Sequence, residues 1–288
     1  MAPPHIEYAV LSAGEGAGQD RCFTADGLVV VLDGASAYDP SVSPDAGEYV
    51  DTLGSVLIEE IVRHEGIDLR DALSQAIRHT ADKLALIPGK SPSSTVSIAR
   101  SGSAGVDVLV LGDSPISAYF TDGSQRSIIQ HPMDHIAPEL RGRYRDRLAA
   151  GSGFDDEHRS ILARIQRAEA PLRNSDDGYW IAEASVNAAA YAECMHIDWG
   201  LLDLLVVSTD GAAGAVEEIR KVEREALTSG RILSVLQELH DWEEECDPDG
   251  RMRPRSKRHD DKTVAVMLTD AVAGPLSEAD RGADSCEG

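Results

Sequence analysis

Val29-Val30-Val31-Leu32-Asp33-Gly34 is an unbroken aliphatic run that ends on an acid and a glycine. Such a run, rich in β-branched residues, reads as a buried strand, and its aspartate falls where the backbone leaves the core for water. Three further stretches repeat the pattern: Val108-Leu109-Val110-Leu111-Gly112-Asp113, Leu204-Leu205-Val206-Val207-Ser208-Thr209-Asp210-Gly211, and Asp260-Asp261 ahead of Thr263-Val264-Ala265-Val266-Met267-Leu268. Acids placed repeatedly at strand ends predict a cluster of carboxylates built to hold cations.

Around these runs the remaining elements fall into place. Strands are predicted at 6–11, 21–25, 28–32, 94–99, 106–111, 116–120, 127–129, 201–207 and 263–268, with Asp26-Gly27 as the turn of a hairpin. Two amphipathic helices follow the third strand. The first opens on Ser43-Pro44-Asp45, with Ser43 as the cap and Pro44 at the first helical position. The second is capped by Asp68 and ends near Pro88-Gly89. Further helices are expected at 217–227 and 232–245. The segment 136–178 is charged, broken at Gly151-Ser152-Gly153, and reads as a surface insertion. Hairpins interleaved with helix pairs favour an α+β fold over a doubly wound parallel sheet.

Composition sets outer limits. A chain of 288 residues with 42% hydrophobic residues can bury a large core, and no apolar run approaches the ~18 residues that span a bilayer. The N-terminal residues lack the pattern of a secretory leader, which gives the expectation of a cytoplasmic protein. Cys22, Cys194, Cys246 and Cys286 stand far apart, as reduced thiols do. A formal charge of −23 opposes binding to nucleic acid or to an anionic membrane. Positive charge is nevertheless concentrated in two places: eight arginines between 139 and 173, and Arg251, Arg253, Arg255, Lys257 and Arg258. These segments are either solvated faces or the places where an anionic substrate approaches an acidic body.

Oxygen ligands without neighbouring cysteine select hard cations, Mg²⁺ or Mn²⁺. Two such ions ~4 Å apart acidify a shared water and clamp an in-line displacement at phosphorus. Hydrolysis of a phosphate ester is the chemistry that follows. Gly34, lacking a Cβ, lets its carbonyl approach an ion.

In this order and spacing, Gly18-Gln19-Asp20, Val31-Leu32-Asp33-Gly34, Ser94-Thr95, Leu111-Gly112-Asp113-Ser114, Met133-Asp134-His135, Ser208-Thr209-Asp210-Gly211 and Asp260-Asp261-Lys262-Thr263-Val264 resemble the motifs of the PPM-type (type 2C), metal-dependent Ser/Thr protein phosphatases. The resemblance implies a four-layer α-β-β-α sandwich, two mainly antiparallel sheets flanked by helix pairs, with the metals at one end. It implies one phosphatase domain over 1–271 and a flap at about 136–178 beside the active site, while the polar composition of 272–288 reads as a flexible tail. By the same resemblance Asp33 bridges two Mn²⁺ or Mg²⁺ ions, the Gly34 carbonyl binds one of them, and Asp210 and Asp260 complete the other shell. Asp113 matches a third, weaker metal position, and Asp20 an acid beside the metals. Asp33, Asp210 and Asp260 would then be the catalytic set. The implied partner is a phosphorylated protein; a small isolated domain gives the expectation of a monomer by default.

Departures from the family pattern are specific. Asp33-Gly34 is followed by Ala35-Ser36-Ala37 in place of His-Gly-Gly or Met-Gly-Gly, so the histidine assigned as general acid in some members is missing. Gln19 replaces a glutamate, and Glu15 stands where an arginine grips the substrate phosphate. Arg21 or a basic residue of 251–258 is the candidate substitute. These departures keep two alternatives open: a phosphatase-like regulatory or binding protein with little turnover, and a phosphatase of small metabolites.

Overall fold

The computed structural model describes residues 4–37, 44–131 and 133–268. Ten strands form two five-stranded antiparallel sheets. One holds β1 (His5–Leu11), β10 (Lys262–Leu268), β9 (Leu202–Ser208), β6 (Ile116–Phe120) and β7 (Gln125–Ile128), in that order. The other holds β2 (Asp20–Ala25), β3 (Leu28–Ala35), β4 (Ser93–Ser101), β5 (Gly105–Leu111) and β8 (Glu193–Asp198).

Side-chain alternation in the strands builds the layers, because successive residues point to opposite faces. Val29 and Val31 of β3 join Val108, Val110, Leu205, Val207, Ala265 and Met267 in the core between the sheets. Val30 and Leu32 point the other way, against Tyr49, Leu53 and Leu57 of α1 (Ala46–Arg63) and Leu73 and Ile77 of α2 (Leu69–Leu84). On the opposite outer face, Leu204, Val206, Val264 and Val266 pack against Ile232, Val235 and Leu236 of α6 (Ser229–Glu245), with Val216 and Ile219 of the short α5 (Val216–Arg220). Both faces of the central strands are therefore apolar, which accounts for their unbroken aliphatic runs. The expected four-layer α+β sandwich is the observed one.

Several local expectations are corrected. Asp45 caps α1 by accepting from the Glu48 amide at 2.8 Å, so Pro44 lies before the helix, and Ser43 lies outside the described residues. Helix α2 stops at Ala85, which takes the left-handed conformation (φ 50°), three residues before Pro88. Ile87 precedes that proline and is biased out of the helical region. The helix expected over 217–227 ends at Arg220 and resumes only as a single turn, Arg224–Ala226, because the Arg224 guanidinium is drawn to the Asp203 carbonyl and carboxylate. Between β7 and β8 the charged segment folds into α3 (Pro138–Ala149) and α4 (Asp156–Glu169), separated at the predicted glycines. The expected tail at 272–288 and Cys286 lie outside the described residues; Cys22, Cys194 and Cys246 are free thiols. Among the described residues no helix is long and apolar enough to cross a membrane.

Candidate metal centre

The acids gather where strand ends of the two sheets meet. Asp20 opens β2 directly opposite Asp33 on β3, a like-charge cross-strand pair that is destabilising unless something neutralises it. Asp210 follows the end of β9 and Asp260 precedes β10, while Asp113 follows β5. Their charges act on one another. Asp33 is raised well above the usual carboxylate range, by burial first and then by Asp20, Asp210, Asp260 and Asp113. Burial, with Asp261 and Asp210 adding to it, lifts Asp20 to about 7. Asp113 is lifted to about 6 by burial and Asp210. Asp210 reaches solvent at the mouth of the site, yet the protein packed around its carboxyl and then Asp260 push it up, while a hydrogen bond shared with Asp33 pulls it back. All five acids named from the sequence share one electrostatic neighbourhood.

Hydroxyls and backbone fix the arrangement. Thr209 Oγ1 donates to Asp20 Oδ2 at 2.7 Å and accepts from the Thr263 amide at 3.0 Å, tying β2, β9 and β10 at one point. Ser94 Oγ donates to the Asp33 carbonyl at 3.0 Å, and the Asp33 amide donates to Thr95 Oγ1 at 3.3 Å. These hydroxyls, on residues to which the sequence reading gives no role of their own, orient the acids. Asp261 has a different task from its neighbour: its carboxylate accepts from the amides of Ala13 (2.8 Å) and Gln19 (2.5 Å) and holds the β1–β2 loop. Gly34 sits so near that loop that a Cβ would lie 2.7 Å from the Gln19 carbonyl, which already accepts from the Gly34 amide. A glycine is therefore required there by packing alone.

The cations nearby are unequally available. Arg21 is spent on its own loop: Nε donates to Asp51 at 2.6 Å, and Nη1 to the carbonyls of Ala17, Gly18 and Asp20. Lys257 Nζ instead lies 2.8 Å from Asp260 Oδ1. In the 136–178 segment, Arg141 pairs with Glu169 and Arg143 with Glu157, joining α3 to α4. Arg141 is close enough to Asp113 to lower its pKa against the burial. Asp134 and His135 are exposed in a turn.

Among the described residues, one group of three ligand-type side chains brings its donor atoms within 4.8 Å of one another, and it is a different one: His240, Glu243 and His259. The two imidazoles are stacked, 4.1 Å apart at 24°, so no single ion lies in both ring planes. The fully buried Lys262 ammonium already neutralises Glu243 at 2.8 Å. That group is a packed ion pair beneath Asp260, whose carbonyl accepts from Lys262 at 3.0 Å.

Five acids whose charges act on one another, all offering hard oxygen donors, fit divalent Mg²⁺ or Mn²⁺.

No family model matches the chain by sequence, and no curated protein does. Solved structures do match. The PPM Ser-Thr phosphatase MsPP from Mycobacterium smegmatis is similar over 92% of this chain and 97% of its own, with TM-score 0.57 and 16% identity. Stp1, a serine/threonine phosphatase from Staphylococcus aureus, covers 93% and 95% with TM-score 0.56 and 12% identity. The catalytic domain of the phosphatase PstP, solved with two manganese ions, covers 91% and 97% with TM-score 0.51 and 13% identity. Along nearly its whole described length, this chain has the fold of the bacterial PPM Ser/Thr phosphatases.

Proposed function

We propose that the chain is a Mn²⁺- or Mg²⁺-dependent phosphatase that removes phosphate from phosphoserine and phosphothreonine on proteins. The observation that carries the reading is the convergence of Asp20, Asp33, Asp113, Asp210 and Asp260 into one site, where their charges act on one another. Fold neighbours named as phosphatases, one holding two manganese ions, support it.

In this reading Asp33, the Gly34 carbonyl, Asp210 and Asp260 would hold two ions, and Asp113 would hold a weaker third. Divalent ions bound there supply a water acidic enough to attack at neutral pH and neutralise the phosphoryl oxygens. The chain's own residues do the rest. Thr209 and Thr95 hold the acids in register, and Asp261 keeps the β1–β2 loop over the site. Ala35-Ser36-Ala37 offers no general acid, so the leaving alkoxide takes its proton from solvent. Residues 136–178 act as the flap, stiffened by the Arg141–Glu169 and Arg143–Glu157 pairs.

A second reading, a regulatory protein with little turnover, is favoured by Arg21 being committed to Asp51 and its own loop. Hydrolysis of para-nitrophenyl phosphate and of a phosphothreonine peptide separates the two. Turnover with Mn²⁺ that is abolished by chelator, by Asp33→Asn and by Asp210→Asn supports the enzyme. Mn²⁺ binding without turnover supports the regulatory reading, and hydrolysis confined to small metabolites supports that substrate class.

A further inference from the structure

Five basic residues crowd the loop 251–258, and one of them, Lys257, contacts an acid of the cluster. Asp247, 2% exposed, staples the loop by accepting from the amides of Met252 (2.9 Å) and Arg253 (3.0 Å) and from Arg255 Nη1 (2.7 Å). The Arg255 guanidinium lies over the Phe154 ring at 5.3 Å, and that of Arg253 over Trp242 at 5.0 Å. Arg258 pairs with Glu244 at 3.2 Å. His158 of α4 is buried between the edge-on rings of Tyr144 and Phe154, and its Nε2 donates to the Ser256 carbonyl at 2.9 Å. Its Nδ1 is buried without a partner.

Lys257, the next residue, is thus presented from a loop pinned at both shoulders. Its side chain is 61% exposed, yet its ammonium sits 2.8 Å from Asp260 Oδ1. A cation so placed has two possible tasks. Without a divalent ion it neutralises part of the acid cluster. With one held at Asp260 it would be repelled, and its four-carbon stem would let Nζ turn away from the pinned loop. The substrate's phosphate is a dianion that the carboxylates repel, and Arg21 is not free to receive it.

We infer that Lys257 is the built-in counter-ion of this site: its ammonium holds Asp260 until a divalent ion displaces it, and it then engages the phosphate of the substrate. The inference rests on the metal-dependent phosphatase reading above. It assigns to Lys257 a phosphate-binding task, as a point charge in place of a bidentate arginine.

Calorimetric titration of the full chain with Mn²⁺, and of the Mn²⁺-loaded chain with inorganic phosphate, tests it on wild type, Lys257→Gln and Lys257→Arg. Because an exposed pair contributes little, Lys257→Gln should bind Mn²⁺ only about two- to fivefold more tightly. Losing a charge-assisted contact should weaken its phosphate binding roughly tenfold or more, and Lys257→Arg should restore it. Unchanged Mn²⁺ affinity or unchanged phosphate affinity in Lys257→Gln overturns the inference and leaves the metal reading standing. A wild-type chain that takes up no Mn²⁺ overturns the metal reading and the inference with it.

Discussion

Replacing Asp20 by asparagine should stabilise the metal-free chain, although Asp20 is buried and hydrogen-bonded. Its carboxyl is lifted from 3.8 to about 7, chiefly by burial, while Thr209 Oγ1 at 2.7 Å offsets only part of this. A carboxyl whose folded pKa is raised contributes full stability below its unfolded value and loses it as pH rises through the folded value. The loss therefore runs from pH ~4 to pH ~7 and is complete by pH ~8. A shift of roughly three units amounts to about 4 kcal/mol at pH 8 and less than about 2 kcal/mol at pH 5. Asp33 and Asp210 take up protons together with Asp20, so neutralising one member relieves about half, ~2 kcal/mol. For a chain of this size that is roughly 4–8 °C in Tm. Thermal unfolding in chelator at pH 5 and pH 8 reads it directly. The Asp20→Asn variant should melt higher than the wild type at pH 8, with the gap closing at pH 5, and saturating Mn²⁺ should raise the wild type more than the variant. A variant that melts lower at pH 8, or whose gain does not depend on pH, would refute the picture of a repulsive acid cluster.

Two further changes probe the scaffold. Lys262→Met removes the fully buried ammonium 2.8 Å from Glu243 and leaves that carboxylate with only the neighbouring His259, so urea unfolding should show a loss of about 3 kcal/mol. A loss under about 1 kcal/mol would mean that His259 suffices. Gly34→Ala places a methyl 2.7 Å from the Gln19 carbonyl and should cost about 1–3 kcal/mol while lowering Mn²⁺ affinity, because the β1–β2 loop must shift; unchanged stability would contradict the close approach.

What is legible in the sequence follows from burial. The central strands β3, β5, β9 and β10 are covered on both faces, so their aliphatic runs stand out, and each acid at a strand end can be placed beside the others. Edge strand β8 escapes such a reading because Glu193, Cys194 and Asp198 are exposed and only Ile197 is buried, which leaves little alternation to detect. The end of the 217–227 helix is invisible because a distant partner, Asp203, decides where Arg224 goes. At the site, carboxylates announce themselves by residue type, whereas their supports do not. Ser94 and Thr95 are ordinary strand residues, and Thr209 an ordinary residue after a strand, until the fold puts their hydroxyls against Asp33 and Asp20. Among the basic residues, sequence offers only Arg21 and the loop 251–258 together. Picking out Lys257 needs its contact with Asp260, beside the contacts that commit Arg21, Arg253, Arg255 and Arg258 elsewhere.

Anomalous diffraction at the manganese edge, from crystals of the chain soaked in Mn²⁺, tests the central claim most directly. Two peaks flanking the Asp33 carboxylate, one beside Gly34 and the other toward Asp210 and Asp260, are the predicted result. Peaks absent from that cluster, or found only at His240 and His259, would contradict it.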